Sequence, residues 1–180
     1  VKIIWSGRMQ IEKRPLEFVQ ALALAKVDAE VEMYGNGNLL NKTKRLAKEL
    51  GLENQIKFKG KVPYRNMLKA FADSDVLVQT SVGFETQGMT VYEAAAVGTP
   101  SVLCDANIAK ELGSKQHWVV RDESIEALAE TIRQAVADLQ KSDARSRALL
   151  REKRFLQSQA TKQMLGYYNS VTKAHASPKY

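Results

Sequence analysis

"VKIIWSGRMQIEKRPLEFVQALALAK", residues 1–26, decides the fold. "KIIWS" is a short β-rich run and ends at Gly7. After a polar loop, "PLEFVQALALAK" places Leu16, Val19, Leu22 and Ala23 at helical spacing, an apolar stripe that needs a core to lie against. Pro15 suits the first turn of that helix, where its missing N–H leaves no bond unmade. Strand, loop and helix make one crossover unit.

The same unit recurs along the chain. "EVEMYG" is a second strand ended by Gly35, and "LLNKTKRLAKELG" a helix with Gly51 as its stop. "IKFKG", a helix over "RNMLKAFADS", and "DVLVQT" follow. Then come a helix in "MTVYEAAAVG", the strand "PSVLC", a short helix near "IAKEL", and the strand "HWVV". "SIEALAETIRQAVADLQ" is a long amphipathic helix capped by Ser124 or Asp122, and helices around 143–156 and 158–174 close the chain. About six strands separated by helical crossovers predict an α/β fold: a doubly wound, Rossmann-like parallel sheet with helices on both faces.

Composition narrows the function. The chain has 180 residues, enough for one substantial core and few for two domains. No run approaches the apolar length of a membrane-spanning helix. The single cysteine, Cys104, rules out an internal disulfide, fits a reducing compartment, and reads as a strand residue, not a nucleophile. The net charge of +7 is unevenly placed: residues 1–140 carry 18 basic and 18 acidic side chains, the last forty 9 and 2. A nucleic-acid face normally involves the folded body, which is neutral here, so no nucleic-acid partner is expected.

In a doubly wound sheet, ligands bind outside the carboxyl ends of the strands, where strand order reverses. The loops there begin "GRMQIEKRP", "GNGN", "GKVP" and "SVGFETQG". "GNGNLL" fails as a dinucleotide fingerprint, because Leu40 stands where the third glycine belongs and the motif follows the second strand. His117 and His175 are isolated, which gives neither a metal cluster nor a Ser-His-Asp site. The first loop places Arg8 and Lys13 just before a helix amino terminus, a combination suited to a diphosphate. "GFETQGMTVYEAAAVGTP", residues 83–100, keeps Glu85 and Glu93 among small and apolar residues. Carboxylates accept from vicinal sugar hydroxyls. Cations for phosphate and acids for sugar describe a nucleotide-sugar.

The ordered set "GRMQIEKRP", "MYGNG", "FKGKV", Glu-x7-Glu within "ETQGMTVYEAAAVGTPSV", and the ending "ATKQMLGYYNSV" resembles the carboxyl-terminal domain of GT-B-fold retaining glycosyltransferases of the family-4 type. The resemblance covers essentially the whole chain. It implies a hexosyltransferase whose donor, a nucleoside diphosphate sugar of UDP or GDP, binds residues 1–180. It also implies an amino-terminal acceptor domain as partner, in keeping with a chain that starts inside a strand, so that this portion alone is expected to be inactive. No cofactor and no metal are implied. By the resemblance Arg8 and Lys13 stabilise the departing diphosphate beside Gly7, Glu85 approaches the transferred sugar, and Glu93 binds the ribose. Gly88, Met89 and Thr90 offer backbone amides, and Lys61 and Val62 flank the base. "ETQG" departs from the commoner Phe-Gly pattern and is similar to variants acting on membrane lipids. With the basic tail it implies a lipid or glycan acceptor, and a cytoplasmic enzyme peripheral to an anionic membrane surface. Two other readings remain open on the residues: a stand-alone nucleotide-sugar-binding module, and a basic polyanion-binding protein.

Overall fold

The computed structural model describes residues 1–83, 89–112, 117–141 and 157–175. Six parallel strands form one sheet: β1 (Lys2–Ser6), β2 (Glu30–Tyr34), β3 (Ile56–Gly60), β4 (Val76–Gln79), β5 (Ser101–Leu103) and β6 (His117–Val119). Their order is β3-β2-β1-β4-β5-β6, so the direction of winding reverses between β1 and β4. The helices are α1 (Pro15–Ala25), α2 (Leu40–Glu49), α3 (Tyr64–Ala72), α4 (Met89–Val97), α5 (Ala106–Leu112), α6 (Ile125–Lys141) and α7 (Gln157–His175), with a 3-10 turn over Ile11–Lys13. All six strands fall where the sequence places them. The helix expected over 143–156 lies outside the described residues.

Alternation along the strands divides the core into two layers. Ile3 and Trp5 of β1, Val31 and Met33 of β2 and Val76 and Val78 of β4 meet α1 and α6. Ile4, Leu77 and Leu103 face the other way, onto Phe71, Val91, Ala94 and Ile108 of α3, α4 and α5. The inner strands β4 and β5 are buried at every position, as expected where helices cover both faces. The buried face of α1 is Pro15, Phe18, Val19, Ala21, Leu22 and Ala25, whereas Leu16 and Ala23 of the expected stripe are half-buried. Phe18 takes the core position because its ring stacks on Trp5, centroids 6.4 Å apart.

Toward the β3 edge, one sheet face carries charge instead of apolar side chains. Lys57 Nζ reaches Glu30 at 2.6 Å, and Glu32 takes Lys2 at 3.1 Å and Lys59 at 3.4 Å. Tyr34 donates its hydroxyl to Glu32 at 2.8 Å. Burial works to raise the Glu32 pKa, but the Tyr34 hydroxyl and the two lysines outweigh it and hold the carboxyl below its usual value. The alternation in "EVEMY" and "IKFKG" is therefore an ion-pair ladder.

Local signals account for the ends of the elements. Ser124 caps α6, its Oγ accepting from the Ala127 N–H at 3.1 Å, while Asp122 accepts from the Ser124 N–H at 2.9 Å. Gly51 leaves α2 with φ of 71°. Cys104 stands one residue beyond β5, and burial pushes its thiol up to about 11, an unreactive state at neutral pH. His117 opens β6, as expected. No described helix is long and apolar enough to cross a membrane. In α7, Met164, Leu165, Tyr167 and Tyr168 are exposed.

Candidate functional site

The carboxyl ends of β1, β2 and β3 enclose a cavity of about 430 Å³ lined by residues that include Gly7, Arg8, Tyr34, Asn36, Lys61 and Val62. That volume falls in the range of small-molecule sites. Glycine builds it. The Gly35 N–H donates to the Gly60 carbonyl at 2.8 Å, and the Gly7 N–H to the Tyr34 carbonyl at 3.1 Å, so the pairing of the strands runs on into their loops. Gly35 has φ of 123°, and a Cβ there would stand 1.9 Å from the Gly7 carbonyl oxygen. A Cβ on Gly37 would stand 2.4 Å from the Met9 carbonyl oxygen. "GNG" therefore lets the second loop lie directly on the first.

The first loop holds three cations, and the structure separates them. Arg8 is exposed at the cavity and pairs with Glu12 at 3.2 Å. Lys13 ends the 3-10 turn beside Gly7: a Cβ on Gly7 would meet the Lys13 Cγ at 3.5 Å. Arg14 turns away, with φ of 52°, and donates to the Glu123 carbonyl at 2.6 Å, tying the loop to the start of α6. Arg8 and Lys13 thus stand at the sheet edge, while Arg14 anchors the turn that presents them.

Glu93 lies on α4, half-buried. Burial raises its carboxyl above the usual range, and a hydrogen bond from Tyr64, at the start of α3, opposes the rise. Tyr64 follows Val62 by two residues and Lys61 by three, so the chain that forms the cavity's third wall leads on to the carboxylate's partner. Met89 and Thr90 open α4, where backbone N–H groups are left without helical partners. Glu85 and Gly88 lie outside the described residues. Of the sequence-derived set, Gly7, Arg8, Lys61 and Val62 line the cavity, Lys13 borders it, and Met89, Thr90 and Glu93 share α4. Sequence reasoning passed over Glu12, Tyr34, Asn36 and Tyr64. Tyr34 and Asn36 flank Gly35 in the quoted "MYGNG", but nothing in the pattern says that they line a cavity. Among the described residues no group of three His, Cys, Asp or Glu side chains is placed to hold a metal ion.

The strand order, with its reversal between β1 and β4, and the glycine-built loops at the carboxyl ends of the strands define a Rossmann-like α/β fold. Comparison with known proteins agrees. The family profile described as "Glycosyl transferases group 1" matches residues 1–150, and the chain belongs to that family. A curated relative is the GDP-mannose-dependent alpha-(1-6)-phosphatidylinositol dimannoside mannosyltransferase of Mycobacterium tuberculosis, 26% identical over 140 residues, 76% of this chain and 36% of that protein. Anabaena HepE, solved in complex with UDP, superposes with a TM-score of 0.76 at 22% identity, covering 94% of this chain and 48% of that one. The catalytic domain of cholesterol-alpha-glucosyltransferase from Helicobacter pylori gives 0.69 at 21%, covering 89% of this chain and 98% of that one. The chain spans about a third of the mycobacterial relative's length, 36%.

Proposed function

We propose that this chain is the donor-binding domain of a retaining hexosyltransferase that uses a nucleoside diphosphate sugar. The observation that carries the reading is the cavity at the carboxyl ends of β1, β2 and β3 with Arg8 on its wall and Lys13 beside it, in a chain of the group 1 family. Arg8 and Lys13 hold the diphosphate, and the amides opening α4 face the same charge. Lys61 and Val62 take the base, Glu93 the ribose hydroxyls, and Glu85 with the Gly88 amide the transferred hexose.

In the reaction, the bond from the sugar C1 to the diphosphate oxygen breaks and its electron pair leaves with the diphosphate. An acceptor hydroxyl oxygen bonds C1 on the same face, and its proton passes to the departing phosphate. Two fixed cations are worth most where that negative charge develops, an electrostatic role that needs no group of the chain to change protonation. No resident cofactor enters this scheme. The acceptor, a lipid or glycan, binds an amino-terminal domain. The mycobacterial relative acts on a phosphatidylinositol dimannoside and uses GDP-mannose, which supports a lipid acceptor and a GDP donor. HepE was solved with UDP, which supports the other base. The positive surplus beyond residue 140 suits the anionic cytoplasmic face of a membrane.

Isothermal titration of the chain with UDP, GDP, their hexose conjugates and the bare nucleosides tests the reading. A diphosphate should bind far more tightly than its nucleoside. Equal affinities, or binding of polyanions alone, would sink it.

A further inference from the structure

At the switch point a buried hydroxyl joins the cation loop to the strand that leads into the glutamate loop. Thr80, just past β4, is 2% exposed. Its Oγ1 accepts from Trp5 Nε1 at 2.9 Å and donates to the Lys13 carbonyl at 2.5 Å. The direction of both bonds is forced. An indole N–H can only donate, so the single hydroxyl proton of Thr80 is left for the carbonyl. Trp5 is itself fixed, 2% exposed and stacked on Phe18. A Cβ on Gly7 would meet the Trp5 ring at 3.3 Å and Lys13 at 3.5 Å, so β1, the 3-10 turn and β4 close around one indole. Three residues beyond Thr80, the Gly83 N–H donates to Asp105 Oδ2 at 3.2 Å. The segment entering "GFETQG" is thus held at both points.

We propose that Thr80 is a positioning residue for donor binding: through the Lys13 carbonyl it sets where the Lys13 ammonium stands relative to the diphosphate. The proposal rests on the donor-binding reading above. Thr80 touches no substrate. Its hydroxyl fixes the backbone of Lys13 to the strand across the switch point, and a long flexible side chain reaches one place reliably only when its backbone is fixed. Without that bond the turn keeps its short-range hydrogen bonds and the Arg14 tie to the Glu123 carbonyl but loses its link to β4, so the Lys13 backbone is held less closely where the diphosphate binds.

The test uses Thr80→Val, which keeps the shape and removes both bonds, and Thr80→Ser, which restores the hydroxyl. Affinities for a nucleoside diphosphate and for its bare nucleoside are measured by titration calorimetry. Thr80→Val should weaken the diphosphate about tenfold, the value of one well-placed hydrogen bond, and move the nucleoside less than about twofold. Thr80→Ser should recover most of the loss. In a Lys13→Ala background, Thr80→Val should add almost nothing, because the group it positions is gone. A hydroxyl that serves only the fold would lower the melting temperature and leave the diphosphate-to-nucleoside ratio unchanged, which overturns the proposal, as does a full additive loss in the Lys13→Ala background. If Thr80→Val does not fold, Thr80→Ala removes the same hydroxyl, and with it the bond to the Lys13 carbonyl, and is judged by the same ratio. If the unmutated chain shows no preference for the diphosphate, the donor-binding reading itself falls, and this inference with it.

Discussion

Glu93→Gln should change stability and donor affinity in opposite directions. The Glu93 carboxyl is raised above its ordinary value of 4.5 chiefly by burial, with the Tyr64 hydrogen bond opposing. A group whose folded pKa is raised contributes stability below its unfolded value and loses it as pH rises through the folded value. At neutral pH the ionised side chain is therefore a net cost to the fold, and Gln, a good helix former, relieves it. The variant should melt higher than the parent at pH 7, and the gap should close as pH falls toward 4. Binding should move the other way. A hydrogen bond to a charged acceptor contributes about 1.5–3 kcal/mol, and to a neutral one about 0.5–1.5, so each ribose hydroxyl loses about 1 kcal/mol. Two hydroxyls lose about 2 kcal/mol, roughly 30-fold in the dissociation constant. Melting curves from pH 4 to 8, with titrations of the nucleoside diphosphate and its 2′-deoxy form, measure both effects. A lower melting temperature at pH 7 would refute the burial argument. Equal losses for the ribo and deoxy ligands would refute the ribose assignment.

The other predictions concern the loops. Arg8→Ala and Lys13→Ala should each weaken diphosphate binding by about 1.5–3 kcal/mol and leave the nucleoside nearly unchanged in the same titration. Glu12→Gln frees Arg8 from its exposed ion pair and should tighten diphosphate binding by about 0.2–1 kcal/mol, a gain that added salt erases. Gly35→Ala drives a methyl into the Gly7 carbonyl and should cost about 3 kcal/mol or more in urea melts, against about 1–2 kcal/mol for Gly51→Ala, where no atom lies within 4 Å and only the left-handed backbone resists. Reversing Arg147, Arg151 and Arg154 to Glu should reduce pelleting with anionic vesicles at low salt and spare nucleotide affinity. Unchanged pelleting would remove the membrane role of the tail.

What the sequence could and could not disclose follows from the range of the forces involved. The strands and helices were legible because periodicity and punctuation are local: Pro15 starts α1, Gly51 ends α2, and Ser124 caps α6 through a bond three residues long. The layer a residue joins depends on what lies across from it. Phe18 outranks Leu16 in the core because Trp5 is there to stack on, and that contact depends on packing α1 against the sheet. The same limit governs the site. Arg8 and Lys13 could be named because a loop at a strand's carboxyl end is a position in the pattern. That Arg14, their neighbour, serves Glu123 instead is a contact across 109 residues, invisible to any window. Thr80 is the strongest case. In sequence it is an ordinary threonine after an apolar run; its meaning comes from Trp5, 75 residues before it, and Lys13, 67 before it, which meet only after β1 and β4 pair at the switch point. Pattern reading finds groups that meet a ligand from the ends of strands. The groups that hold those in place belong to the interior between strands, and are found only when the strand order is known.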